Sequence, residues 1–188
     1  MTALRMPVLE PVPIPTRDVP YPVALWRWLT QVREWRVVEP WYFTLPDGTE
    51  IVIPAGFQFD GASVPAVFWS VLSPTGLLLI PGLIHDFYYK YGHLINSIAL
   101  RAEWMYFCNT EWPKSMSAEY PFEDFLNTRA NCEIPKYGDN EGRAFGDRLF
   151  RDVAIHINGF HVINRIAWVA LILFGWVAWN KHRKEDVK

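Results

Sequence analysis

Residues Ile166–Trp179 run for 14 positions without a charged side chain. As a helix this run is about 21 Å long. Extending it back to Val162 gives 18 residues but takes in Asn164 and Arg165. By length, 10–14 apolar residues suit a buried helix better than a bilayer span, which needs about 20. Yet the run is apolar on every face, whereas a helix on the outside of a small domain shows a polar side. Trp168, Trp176 and Trp179, followed by Lys181, Arg183 and Lys184, have the composition of interfacial anchors. The helix must therefore be covered, by the rest of the domain, by a partner or by lipid. The expectation is packing within the domain or against a partner.

The remainder of the chain can supply such a domain. Its 188 residues allow one domain with a real core. With 51% hydrophobic and 20% charged residues, intrinsic disorder is excluded for most of it. A formal net charge of −2 gives no electrostatic reason to bind nucleic acid, and none is expected. Cys108 and Cys132 make neither a disulfide framework nor a zinc-site spacing. Met1–Asp18 contains no uninterrupted apolar stretch, so no secretory signal is expected.

Residues 1–22 carry six of the fifteen prolines and read as an extended arm, because proline lacks an N–H and fixes φ. Val23–Val32 can form a short helix. Glu34–Leu45 and Thr49–Phe57 are rich in β-formers and flank Pro46-Asp47-Gly48, a turn tripeptide, which predicts a β-hairpin. Gly56 to Pro65 then reads as a tight glycine loop in which Ser63 caps a helix starting near Pro65, and Asp60 accepts backbone N–H groups. Helices are expected at Leu77–Tyr91, Ser97–Trp112, Arg143–Asn158 and His161–Asn180, with Gly92 and Gly159 as stops. Residues 113–142 read as a long irregular excursion, and residues 181–188 as a basic tail. The fold class is α+β: an N-terminal hairpin or small antiparallel sheet, then a helical bundle with two antiparallel motif-bearing helices. Residues 23–180 form a single domain.

His85 and Asp86 enter a helix otherwise lined by Leu83, Ile84, Phe87 and Tyr88. Adjacent helical residues diverge by about 100°, so the two are not expected to pair with each other. Tyr89 lies one turn from both. A buried carboxylate needs a partner, and for Asp86 the choices are a cation, a backbone nest in the Gly56–Ser63 loop, or an arginine. Asp147 sits among Ala144, Phe145, Leu149 and Phe150 on the third of these helices. If the two helices are antiparallel, Asp147 can accept a hydrogen bond from His85, fixing its tautomer and strengthening the other nitrogen as a base. The same pair can equally be a polar lock between two helices. Solvent access separates the two readings: a cleft at His85 favours an enzyme, full burial a lock.

The ordered motifs Val52-Ile53-Pro54-Ala55-Gly56-Phe57, Asp60-Gly61-Ala62-Ser63-Val64-Pro65, His85-Asp86-Phe87-Tyr88-Tyr89 and Phe145-Gly146-Asp147-Arg148-Leu149-Phe150 resemble the phage and bacterial family known as domain of unknown function 1353. An apolar helix with a glycine, here Gly175, closes that family's pattern. The resemblance covers roughly residues 34–92 and 143–179, leaving about 93–142 as an inserted excursion. A second resemblance, of the His-Asp-x-x-Tyr helix and the Asp-Arg helix alone, is to the active site of secreted phospholipase A2. It implies His85 as base, Asp147 as its orienter and Tyr89 as support for Asp147. It also implies calcium as cofactor, held by Asp86 with the Asp60–Gly61 turn of the Gly56–Ser63 loop. The many disulfides and the Tyr-Gly-x-Gly loop of those phospholipases are missing here.

These resemblances imply a phage protein with a calcium-dependent ester hydrolase site. The rival is a non-enzymatic virion structural or assembly protein, its partners other virion subunits. A third reading is a membrane-associated accessory protein for lysis or genome entry, contacting lipid through the apolar helix.

Overall fold

The computed structural model describes residues 5–13, 19–30, 34–59, 78–110 and 135–185. Two small antiparallel sheets precede and partly interleave with the helices, an α+β arrangement. The first holds β1 (Leu9–Pro11), β2 (Trp35–Val37) and β5 (Gln58–Phe59), in the order β1-β2-β5. The second holds β3 (Trp41–Thr44), β4 (Glu50–Ile53), β6 (Leu94–Asn96) and β7 (Lys136–Tyr137), in the order β3-β4-β6-β7.

The expected hairpin is present, but each arm is cut in two. β3 pairs with β4 from Trp41↔Ile53 to Thr44↔Glu50, and Thr49 N donates to Asp47 Oδ1 (2.9 Å) in the connecting turn. The same register continues beyond the cut as Trp35↔Phe59 and Arg36↔Gln58, in the other sheet. Pro40 and Pro54 stand next to the Trp41↔Ile53 pair, on opposite arms. Neither can donate to a ladder, so pairing stops there and the ribbon turns from one sheet into the other. Beyond the gap Val37 N and Gly56 N resume bonding, to Phe57 O (2.9 Å) and Val37 O (2.8 Å).

Residues of the proline-rich segment meet this ribbon. β1 pairs along β2, and its Pro11 is tolerated because β1 is an edge strand. Helix α1 (Tyr21–Thr30) begins two residues before the expected start, with Pro22 inside its first turn. First-turn N–H groups have no intrahelical acceptor, so a proline costs little there.

α2 (Leu79–Tyr91) is buried on most of its surface. It contributes Leu83, Ile84, Phe87, Tyr88 and Tyr89 to a core shared with Val37, Ile51 and Ile53 of the sheets. Gly92 ends it as foreseen, its N–H bonding Tyr88 O. β6 then enters the second sheet between β4 and β7, and Asn96 caps α3 (Ser97–Thr110) by accepting from Ala99 N (3.1 Å). Leu94, Ile95 and Leu100 are core residues, so the start of the 93–142 stretch is integral to the domain. The end of that stretch is also ordered differently from the irregular path expected, because β7 pairs with β6.

α4 (Arg143–Asn158) and α5 (His161–Glu185) complete the fold. Leu78 clusters with Phe150 and Ala154, His85 lies by Asp147, and Tyr88 meets Phe145 and the Gly142 carbonyl. The pairing therefore runs in opposite senses along α2 and α4, which makes the motif-bearing helices antiparallel. They approach closely over Gly146, where a Cβ would fall 2.7 Å from the Tyr88 ring and 3.2 Å from that of Tyr89. α5 packs on α4 through Ala167 and Leu171, with buried Asn164 exchanging amide hydrogen bonds with Asn158 at the turn.

Candidate functional site

The antiparallel contact brings three of the expected residues together. His85 and Tyr89 lie one turn apart on α2, with ring centroids 3.9 Å apart. Opposite them, Asp147 of α4 takes the Tyr89 hydroxyl hydrogen bond on Oδ1, and the same oxygen lies 3.4 Å from His85 Nε2. His85 has no exposed surface and Asp147 is 1% exposed. Phe150 closes the ring of His85 edge-on.

Arg143 is a site residue that the sequence reading missed. Its Nη1 lies 3.1 Å from Asp147 Oδ2, and it also reaches the carbonyls of Leu171 (3.3 Å) and Ile172 (3.2 Å) on α5. The signal was available as the i,i+4 spacing of an arginine and an aspartate on one helix. The guanidinium supplies the counter-charge that a buried carboxylate requires and ties the site to α5. Gly175 completes that tie. A Cβ at this position would lie 2.6 Å from the Tyr89 hydroxyl, so only glycine admits the ring beneath α5. Trp179, one turn further on, packs against the rings of both Tyr88 and Tyr89.

Asp86 departs from expectation. Its Oδ1 folds back to 3.4 Å from His85 Nδ1, so adjacent residues do face each other. The roughly 100° between their Cα–Cβ directions is made up by side-chain rotation, which a short carboxylate allows. His85 thus has a carboxylate at each ring nitrogen, and only the imidazolium can donate to both. Burial, the largest single influence, lowers its pKa, but the hydrogen bonds and charges of Asp147 and Asp86 outweigh it and raise the pKa above 6.5. Burial and donation to Asp147 also raise the Tyr89 pKa, so its hydroxyl keeps its proton.

The second carboxylate oxygen of Asp86, Oδ2, is buried and has no hydrogen-bond partner among the described residues, although the side chain as a whole is 11% exposed. A lone buried carboxylate oxygen is the kind of group that accepts a cation. Among the described residues no group of three His, Cys, Asp or Glu side chains stands ready to hold a metal. Calcium takes about six to eight oxygens, so Asp86 fits as one ligand of a larger set. The other ligands implied for it, Asp60 and Gly61, lie outside the described residues, as do Ser63 and Pro65. Gly56 is described, at φ +84° in the turn between β4 and β5. The groove beside it, lined by Pro54, Phe57, Lys90 and Tyr91, does not include His85.

No curated protein and no solved structure matches the chain. A family model does match, over residues 35–171, a span that takes in α2, the whole 93–142 stretch, α4 and the first half of α5. By that match the chain belongs to the family described as protein of unknown function (DUF1353).

Proposed function

We propose that the His85–Asp147–Tyr89 cluster is a hydrolytic site acting on ester bonds, with Asp86 as its cation ligand. The observation that supports this most is the division of labour around one imidazole. Nε2 faces a carboxylate that is itself held by Tyr89 and Arg143, while Nδ1 faces a carboxylate whose other oxygen has no partner among the described residues. A locking pair needs the first arrangement alone.

In this reading Asp147 and Tyr89 fix the ring and its Nε2 proton. The structure buries His85 completely, so this reading requires water to be admitted to the ring; Nδ1 then takes a proton from that water as it attacks the ester carbonyl, and returns it to the leaving alkoxide. Calcium bound at Asp86 would supply a Lewis acid for the carbonyl oxygen. Asp86 is one of the two carboxylates that raise the His85 pKa, so a cation held there would oppose that rise and favour the unprotonated Nδ1 that a base requires.

The test is hydrolysis of phospholipid vesicles and of a chromogenic ester by the purified protein, with calcium and with chelator. Calcium-dependent turnover that falls by about 10²–10⁴-fold in His85→Ala, and is also lost in Asp86→Asn, is expected. No turnover, or His85→Ala equal to wild type, overturns it. The complete burial of His85 favours a second reading, a virion structural or assembly protein in which the cluster only locks α2 to α4. That reading expects no turnover and a large loss of stability in the same variants.

A further inference from the structure

One face of α5 remains uncovered after the domain has packed. Within His161–Asn180 an 18-residue window has a mean hydropathy of 1.7 and is long and apolar enough to cross a membrane, but only 28% of that window is buried. The buried residues of this helix are Asn164, Ala167, Ala170, Leu171 and Gly175. On the outside, Val162, Ile166, Val169, Leu173, Trp176 and Val177 follow one another at helical spacing. Leu173, Trp176 and Val177 are each more than half exposed, at 58%, 56% and 57%. Ile172 and Phe174 widen this stripe on either side and are exposed as well.

Width and charge identify what would cover it. Successive helical residues are about 100° apart, so the exposed arc from Ile172 through Leu173 to Phe174 spans about 200°. A helix of a second copy would need only a narrow a/d seam with polar flanks. Over Val169–Val177 the flanking residues, Ile172 and Phe174, are apolar too, as they are where a helix sinks into acyl chains. Between His161 and Lys184 there is no aspartate or glutamate; Arg165 lies near one end, and at the other Lys181, Arg183 and Lys184 precede Glu185 and Asp186. Apolar residues between basic ends match a layer of hydrocarbon under anionic headgroups. Crossing the bilayer is not compatible with this packing. The opposite face of the same helix is fixed to α4, whose Arg148, Asp152 and His156 are exposed.

We infer that α5 docks the folded domain peripherally onto an anionic lipid surface through Val162, Ile166, Val169, Leu173, Trp176 and Val177. This rests on α5 alone and stands whether or not the His85 cluster hydrolyses anything. The test is co-sedimentation of the full chain with phosphatidylglycerol and with phosphatidylcholine vesicles, calcium chelated throughout. Binding to phosphatidylglycerol that falls at least 10-fold in Leu173→Glu/Val177→Glu, and on phosphatidylcholine or at high salt, is expected. Both substituted side chains point away from the core, and an unchanged melting temperature verifies that the variant is folded. Equal binding by the variant overturns the proposal. So does the absence of vesicle binding, whether the protein is monomeric or a dimer that the same substitutions disperse. Resistance to alkaline extraction from the vesicles, the mark of a spanning helix, overturns it too.

Discussion

Asp147→Asn removes one charge and one acceptor while keeping the shape of the side chain. In the native protein Oδ1 serves Tyr89 and His85 and Oδ2 serves Arg143. The amide has one oxygen and one NH2 group. Turned either way, its NH2 meets donors: the guanidinium on one side, or the tyrosine hydroxyl and imidazolium on the other. Water cannot repair the mismatch, because His85 and Asp147 are buried. Breaking a buried ionic cluster by removing one partner costs about 3–5 kcal/mol. Arg143 keeps the Leu171 and Ile172 carbonyls, which places the expected loss at the lower end, about 3 kcal/mol. For a chain of this size each kcal/mol lowers Tm by about 2–4 °C, so a fall of about 6–12 °C is expected. Urea denaturation followed by circular dichroism at pH 6, with a thermal melt alongside, measures both. A loss below about 1 kcal/mol at an unchanged m-value would refute the reasoning, since Asp147 would then not be the residue on which the cluster depends.

His85 makes the same cluster pH-dependent. Its folded pKa is raised, so the stability it contributes is complete below about pH 6.5 and is lost as pH rises through the higher folded value. Urea midpoints for wild type minus those for His85→Gln are therefore expected to shrink steadily above pH 6.5, and a flat difference counts against the two-carboxylate clamp. Gly175→Ala forces a methyl to within 2.6 Å of the Tyr89 hydroxyl and 3.6 Å of the Arg143 guanidinium. The tyrosine ring is held by His85 and Trp179, so overpacking of about 1–3 kcal/mol is expected. A thermal melt unchanged from wild type would show that α5 can lift away freely. Partial burial and donation to the Asp47 carboxylate push the Tyr137 phenol up to about 12. Ultraviolet titration should show this tyrosine ionising after the ordinary ones, and Asp47→Asn should bring it down toward 10; an unshifted curve in that variant contradicts the bond.

What could be read from the sequence divides along the range of the interactions involved. The Pro46-Asp47-Gly48 turn and the helix stops at Gly92 and Gly159 are local chemistry, and they fall where local chemistry puts them. His85, Tyr89 and Asp147 were legible because polar residues at one-turn spacing stand out within apolar helices. The division of each hairpin arm between two sheets was not, because it depends on Pro40 and Pro54 being opposed, and register is known only after pairing. β6 and β7 are too short to show an alternating pattern; β6 owes its pairing to β4 and β7 to β6, each more than forty residues away in the chain. The return of Asp86 onto His85 is a rotamer choice made by the surroundings, invisible in a helical wheel.

The pairing of β6 with β7 also acts as a clasp. α3 leaves directly from β6, and Pro135 returns beside it, its carbonyl accepting from Asn96 N at 2.9 Å. The strand pair, which belongs to the core, thus closes the path that leaves along α3 and returns at Pro135. Doubling the length of such a closed segment costs only about 0.6 kcal/mol of chain entropy. The domain can therefore change what it carries at this position, in length or in sequence, without disturbing the helices that hold His85 and Asp147.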